Sequence, residues 1–175
     1  MGVGVPGRST ADDAESRVHD EHHETLRLWL RLLTCTLTIE GKVRARLRER
    51  FATTLPRFDL MAQLERNPRG LKMGELSRRL MVTGGNVTGI TDQLVAEGLV
   101  RRESIVGDRR AYAVQLTPKG KRAFDTMAAA HEEWVIAMLA DVPPRDRDRL
   151  HALLGRVKES VQAHDTSPSS GETAA

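Results

Sequence analysis

Thr83-Gly-Gly-Asn-Val-Thr-Gly-Ile-Thr-Asp-Gln-Leu-Val-Ala-Glu-Gly98 is the stretch on which the reading of this chain turns. Thr83 suits a helix N-cap, because its hydroxyl can accept from the unpaired amides of the first turn. Val87, Ile90, Thr91 and Leu94 recur at helical spacing and give one inward stripe. At about 100° per residue, the other side carries Gly85, Gly89 and Asp92, flanked by Asn86 and Thr88. That face has little bulk and several short hydrogen-bonding groups, which suits close approach to a polar, anionic surface. The solvated face of an ordinary amphipathic helix reads the same way, and the stretch alone does not separate the two. Its flanks do.

Upstream, Leu55-Pro56 opens a short helix, since proline is tolerated in a first turn. Phe58, Met61 and Leu64 form its stripe, and Asn67-Pro-Arg-Gly70 stops it. Another short helix runs from about Met73 to Leu80, with Leu76 and Leu80 inward and Arg78 and Arg79 outward. Two short helices, a tight turn at Met81-Val82 and a third helix make a helix-turn-helix. Downstream, Gly98 serves as the left-handed C-cap. Leu99 to Ser104 and Ala111 to Leu116 read as strands, with Tyr112, Val114 and Leu116 alternating. Between them, Ile105-Val-Gly-Asp-Arg-Arg110 forms a hairpin tip with two arginines. A helix-turn-helix followed by a basic hairpin predicts a winged helix-turn-helix. Its third helix would enter the major groove and its wing a neighbouring minor groove.

The ends of the chain are helical. Leu26, Trp29, Leu30, Leu33, Leu37, Val43, Leu47 and Phe51 follow helical spacing from about Glu21, with Gly41 a candidate bend. Lys42, Arg44, Arg46, Arg48 and Arg50 read as a solvated face, with phosphate contact the lesser reading. Thr117-Pro118 caps a further helix carrying Phe124, Met127, His131, Trp134, Val135 and Met138. After the break at Val142-Pro-Pro144, a last helix carries Leu150, Leu154, Val157 and Val161. A winged lobe of roughly 65 residues cannot bury all these stripes alone. They suit pairing with a second copy, and a two-fold protein reads a two-fold site. The fold class is therefore mainly α with a small β-wing (α+β). Residues 1–15 read as a disordered tail, 16–53 as an N-terminal dimerisation helix and 54–117 as the winged DNA-binding domain. Residues 118–164 read as C-terminal dimerisation helices and 165–175 as a second tail.

Composition points the same way. The net charge of +3 is mild. From Thr54 to Thr117, however, ten bases face seven acids, which suggests an anionic partner, nucleic acid first. A single cysteine, Cys35, allows no intrachain disulfide and favours a reducing compartment. No apolar run approaches the ~20 residues of a membrane span, and the opening residues lack the charged-then-apolar order of a signal peptide. The expected location is cytoplasmic, associated with the nucleoid. The chain has no Gly-x-Ser-x-Gly, phosphate loop, Cys-x-x-Cys or His-Glu-x-x-His, so an enzyme is not expected. No resident cofactor is expected either.

Gly-Leu-Val-Arg-Arg at 98–102, followed by Asp108-Arg-Arg-Ala-Tyr-Ala-Val-Gln-Leu-Thr-Pro-Lys-Gly120, resembles the wing signature of MarR-type regulators. That signature is an Asp-x-Arg, a short strand ending Leu-Thr, and a glycine three residues on. Asn86 to Leu94 is similar to the family's helix, with its threonine-rich opening and Asp-x-Leu. The resemblance runs from about Leu26 to Val161. It implies a homodimer held by the first and last two helices, a palindromic double-stranded DNA operator, and a repressor released by a small ligand. Carried over by position, Arg110 is the wing arginine, beside Arg109, with Asp108 orienting the tip. Thr83, Gly85, Asn86 and Thr88 fall at the base-reading end, and Arg78 joins the interface from the preceding helix. Gly89 stands where the family often has arginine, and Lys72 where a threonine or serine often caps.

The family's effector sits between the dimerisation helices and the DNA-binding lobe. Here that implies Leu26, Arg27, Trp29 and Leu33 from the first helix, with Phe58 and Met61. Trp29 also reads as core. Leu26 to Leu33 and the following Cys-Thr-Leu-Thr-Ile-Glu resemble a branch answering hydroxycinnamate or aromatic acyl-CoA thioesters, where Arg27 or Arg31 would hold CoA phosphates. The alternatives are a redox sensor on Cys35, a metal sensor on His19, His22 and His23, or a helical protein-interaction module. Cys35 reads more simply as a small buried hydrophobe, and the histidines as solvated.

Overall fold

The computed structural model describes the backbone over residues 10–80, 87–105 and 108–165, and the side chains over 23–80, 87–104 and 112–164. In chain order the elements are α1 (Thr10–Phe51), α2 (Leu55–Glu65), β1 (Leu71–Lys72), α3 (Met73–Arg79), α4 (Val87–Ala96), β2 (Val100–Ile105), β3 (Asp108–Leu116), α5 (Pro118–Met138) and α6 (Pro144–Asp165). The expected class holds: a mostly helical chain with one small antiparallel sheet of order β1-β3-β2.

α1 is longer than its apolar pattern suggests. Its 42 residues start at Thr10, inside the stretch read as a tail. Gly41 does not end it, and the glycine has open space beside it. α1 closes at Phe51 with Ala52 in the left-handed region (φ 48°), a conformation costly to any residue with a Cβ. α2 then starts with proline in its first turn and buries Leu55, Phe58, Leu60, Met61 and Leu64.

α3 begins without a serine or threonine cap. Lys72 cannot accept a hydrogen bond, so the cap is one-sided: the Lys72 amide donates to Glu75 Oε2 at 3.4 Å. β1 is the strand that sequence reasoning misses. Its two residues pair Leu71 with Val114 and Lys72 with Ala113, which is too short to show a period. Gly70 (φ 86°) makes the turn into it, and a Cβ there would lie 2.6 Å from Gln115 Cγ. β3 also starts earlier than expected, at Asp108, paired with Ile105 of β2. The hairpin tip is correspondingly narrower than 105–110.

The core gathers α2, Leu76, Leu94, Val100, Val114, Phe124, Met127 and the end of α1 at Val43 and Leu47. Phe58 stacks on Phe124 at 5.5 Å and tilts against His131 at 5.1 Å. Two compact units divide within α5, Met1–His131 and Glu132–Ala175. The reason is visible in the first unit: the start of α5 is part of the winged core, through Phe124, Met127 and Ala130.

Gly120 seats that helix start, since a Cβ built there would meet the Leu99 carbonyl oxygen at 1.8 Å. Gly120→Ala should therefore cost about 3 kcal/mol or more. A thermal melt reads this, and an unchanged Tm would contradict the close approach.

Asp59 sits half-buried on α2. Burial first, and the charge of Glu40 second, push its carboxyl from 3.8 up to about 6. A folded-state value above the unfolded one means the folded chain holds the proton more tightly. The resulting stabilisation is complete below about pH 4 and is lost as pH rises through about 6. Asp59→Asn should accordingly raise Tm at about pH 8 and leave it nearly unchanged at about pH 4. Parallel melting shifts at both pH values would refute this linkage.

Candidate nucleic-acid interface

α4 is held in a defined rotation about its axis. Leu94 and Thr91 are fully buried, and Val87 and Ile90 are half-buried. Thr91 is a polar residue in the core, so its hydroxyl needs a partner. It donates to the Val87 carbonyl at 2.7 Å, the back-bond open to a mid-helix threonine. With that stripe inward, Thr88 and Asp92 are exposed and Gly89 lies between. Thr83, Gly85 and Asn86 fall outside the described residues, and so does the N-cap expected at Thr83.

The C-terminal end of α4 closes as the sequence predicts. Gly98 takes φ 70°, its amide donates to the Val95 carbonyl at 2.9 Å, and the Leu99 amide donates to Leu94 at 2.9 Å. These two bonds make a Schellman cap, which needs a residue free of Cβ strain at Gly98. Thr117 then ties the next helix to this turn. Its hydroxyl donates to the Gly98 carbonyl at 2.7 Å, and accepts the Gly120 amide at 3.0 Å as the N-cap of α5.

Two ion pairs, unforeseen from the sequence, brace α4 against its surroundings. Asp92 binds the Arg102 guanidinium of β2, which also lies 5.2 Å over the Tyr112 ring of β3. Glu97 binds Arg57 of α2. Asp92, placed by helical spacing on the polar face, thus links α4 to the wing. Arg102, counted among bases for an anionic partner, spends its charge inside the lobe. Arg101 does likewise, on Glu103 and Gln115, both at 3.0 Å. No local pattern marks such pairs, because their members lie 10 and 40 residues apart.

Arg78 is exposed at the end of α3. The backbone of Asp108, Arg109 and Arg110 forms the start of β3, and their side chains lie outside the described ones. The wing strand and the exposed side of α4 therefore belong to one braced unit.

The residues expected to hold an effector are not brought together within one chain. Leu26, Arg27 and Trp29 are exposed on α1 and Leu33 is half-buried, whereas Phe58 and Met61 are buried in α2. α1 meets the core at Val43 and Leu47, so Trp29 lies about 20 Å along the helix from that contact. Cys35, expected to be buried, is exposed. It lines an open cleft of about 570 Å³ along α1 with Leu30, Arg31, Thr34, Thr38 and Ile39. Within the first unit, none of the described residues covers that flank. His23 is exposed, and the side chains of His19 and His22 are not among those described. No described helix is long and apolar enough to cross a membrane.

Residues 53–111 match the family model described as MarR family. The regulator PecS of Dickeya dadantii is 31% identical over 106 residues, covering 59% of this chain and 64% of PecS. The chain thus spans just under two thirds of that curated relative. Among solved structures, a MarR family transcriptional regulator from Silicibacter pomeroyi is 34% identical with a TM-score of 0.71, over 81% of this chain and 98% of that one. Sco3205 of Streptomyces coelicolor, solved in complex with DNA, shares the fold at 22% identity and a TM-score of 0.68, over 90% of this chain and 92% of its own. With 34% identity over an alignment that covers 98% of a solved regulator, the chain belongs to the MarR family of transcriptional regulators.

Proposed function

We propose that this protein is a homodimeric repressor that reads a palindromic operator and is released by a small aromatic acid or its CoA thioester. The observation that carries the DNA reading is the bracing of α4 to the wing through Asp92 and Arg102. That brace presents a helix face of short side chains and a basic strand as one rigid surface. Rigid placement matters because groove readout needs the helix and wing to engage together. Sco3205, with the same fold, is known in complex with DNA. In the proposed complex Asn86 and Thr88 face base edges, Gly85 and Gly89 allow close approach, and Arg78, Arg109 and Arg110 meet phosphates or the minor groove.

The dimer reading rests on α1 and α6, each taken by itself. Leu26, Trp29, Leu30 and Leu37 of α1 are all at least half exposed, and Leu150, Leu153, Leu154 and Val157 of α6 are 40–47% exposed. Apolar surface on this scale gains about 25 cal/mol per Å² when covered. A second copy supplies the cover, and also brings a second reading helix. The effector reading is supported by Trp29 between Arg27 and Arg31 on the exposed part of α1. A partner chain could close over these residues where the chain's own α2 does not reach.

Gel retardation and footprinting on the promoter region beside its own gene test the DNA reading. Protection should cover two half-sites about one helical turn, roughly 10 bp, apart, and no protection at moderate salt would defeat it. Arg110→Ala should weaken binding and reduce the salt slope by about one unit per protomer. An unchanged slope would take that arginine off the phosphates. Leu30→Glu combined with Leu37→Glu should shift the sedimenting species from dimer toward monomer, and an unaltered dimer would remove α1 from the interface.

A further inference from the structure

Arg101-Arg102-Glu103-Ser104-Ile105 runs along β2, an edge strand of the sheet. Ser104 is exposed, and the ladder to β3 loses its regular register immediately after it. Its hydroxyl thus lies on an extended segment at the rim of the fold, with arginines two and three residues ahead. A basophilic protein kinase reads this charge pattern, because carboxylates beside its cleft take the arginines that precede a serine. Both arginines are within reach. The side chains of Arg101, on Glu103, and Arg102, on Asp92, are 56% and 35% exposed, and exposed ion pairs of this kind are weak.

The geometry around Ser104 gives a phosphate somewhere to go. Val100, Arg102 and Ser104 alternate onto one face of β2, with Arg101 and Glu103 on the other. Val100 is buried and Ser104 exposed, so that face runs from core to solvent along the strand. Arg102 stands between them and reaches outward. Its guanidinium lies 5.2 Å over the Tyr112 ring, and Tyr112 is the residue directly opposite Ser104. Two residues of strand span about 6.6 Å, within the joint reach of an arginine and a phosphoserine. Asp92 of α4 holds the same guanidinium through a single Nη.

We propose that Ser104 is a phosphorylation site whose phosphate takes Arg102 away from Asp92. The co-reactants are a basophilic serine kinase and its Mg·ATP. Ser104 Oγ attacks the γ-phosphorus, and the bond to ADP breaks as the new O–P bond forms. The hydroxyl proton passes to the kinase's aspartate base and ADP leaves. The product carries nearly two negative charges and three acceptor oxygens. A guanidinium fork meets two of those oxygens in parallel bonds, where Asp92 offers one charge to one nitrogen. Capture of Arg102 therefore opens the link between α4 and the wing. The modification stands apart from the regulator reading, on which only the consequence for DNA rests.

The test incubates the full folded chain with Mg·ATP and a basophilic serine kinase. One phosphate should enter the tryptic segment 103–109, where Ser104 is the only hydroxyl side chain, and should be absent from it in Ser104→Ala. Arg101→Gln should slow the labelling about tenfold or more. No label, label only after denaturation, or an unchanged rate in Arg101→Gln would overturn the site. Phosphoserine placed at 104 during translation tests the capture by ³¹P titration. Its second pKa should fall below the ordinary value of about 6, because Arg102 favours the dianion, and return toward it in Arg102→Gln. Should that variant fail to fold, the unsubstituted chain decides, and a midpoint at or above about 6 counts against capture. On promoter DNA the phosphorylated chain should need about tenfold or more protein for the same retardation, and equal retardation would remove the effect on α4. Labelling of a chain whose unmodified form retards no promoter DNA would defeat the regulator reading and leave the site standing. Retardation by a chain that takes no label would do the reverse.

Discussion

The rest of the structure depends on the seating of α5 against the turn that follows α4. At that joint the Thr117 amide and the Gly120 close approach share one carbonyl, that of Leu99, while the Thr117 hydroxyl takes Gly98 and Lys119 takes Glu97. Three elements leave from this point: α4 backward, β2 forward, and α5 across the core. Their relative angles are therefore set by a few short hydrogen bonds and one absent Cβ. Hydrophobic burial holds the lobe together but has little directional preference. The joint supplies the direction, and with it the placement of the helix face and the wing.

Around that joint, charge serves geometry more than it serves attraction. Arg57, Arg101 and Arg102 each engage an acid or amide of the lobe. Exposed ion pairs of this kind contribute little to stability. Their value here is positional: Asp92 with Arg102 spans helix to wing, and Glu97 with Arg57 spans helix to α2. A count of bases along the chain thus overstates the charge available to an outside partner.

What was legible in the sequence is what local chemistry dictates. Pro56 in a first turn, Gly98 as a left-handed cap and Thr117 as an N-cap all stand where their backbone demands place them, and the Phe58, Met61 and Leu64 stripe is core. β1 was illegible because two residues carry no period, and the early start of β3 because Asp108 is a poor strand former whose pairing with Ile105 follows a break in register. Arg57 and Glu97 were illegible for a different reason. Their meeting is a property of packing between distant segments, and each residue taken alone reads as a solvated charge. The effector residues show the same limit: helical spacing grouped Trp29 with Leu33, but only the length of α1 tells how far both lie from Phe58.

That length has a mechanical meaning. α1 is one uninterrupted helix and, among the described residues, is gripped by the core near its C-terminal end at Val43 and Leu47. The rod from there to Trp29 acts as a lever arm of about 20 Å. A tilt of about 10° at the grip carries its far end through about 3.5 Å. At that arm length a change of angle of a few degrees at the grip amounts to ångströms at Trp29.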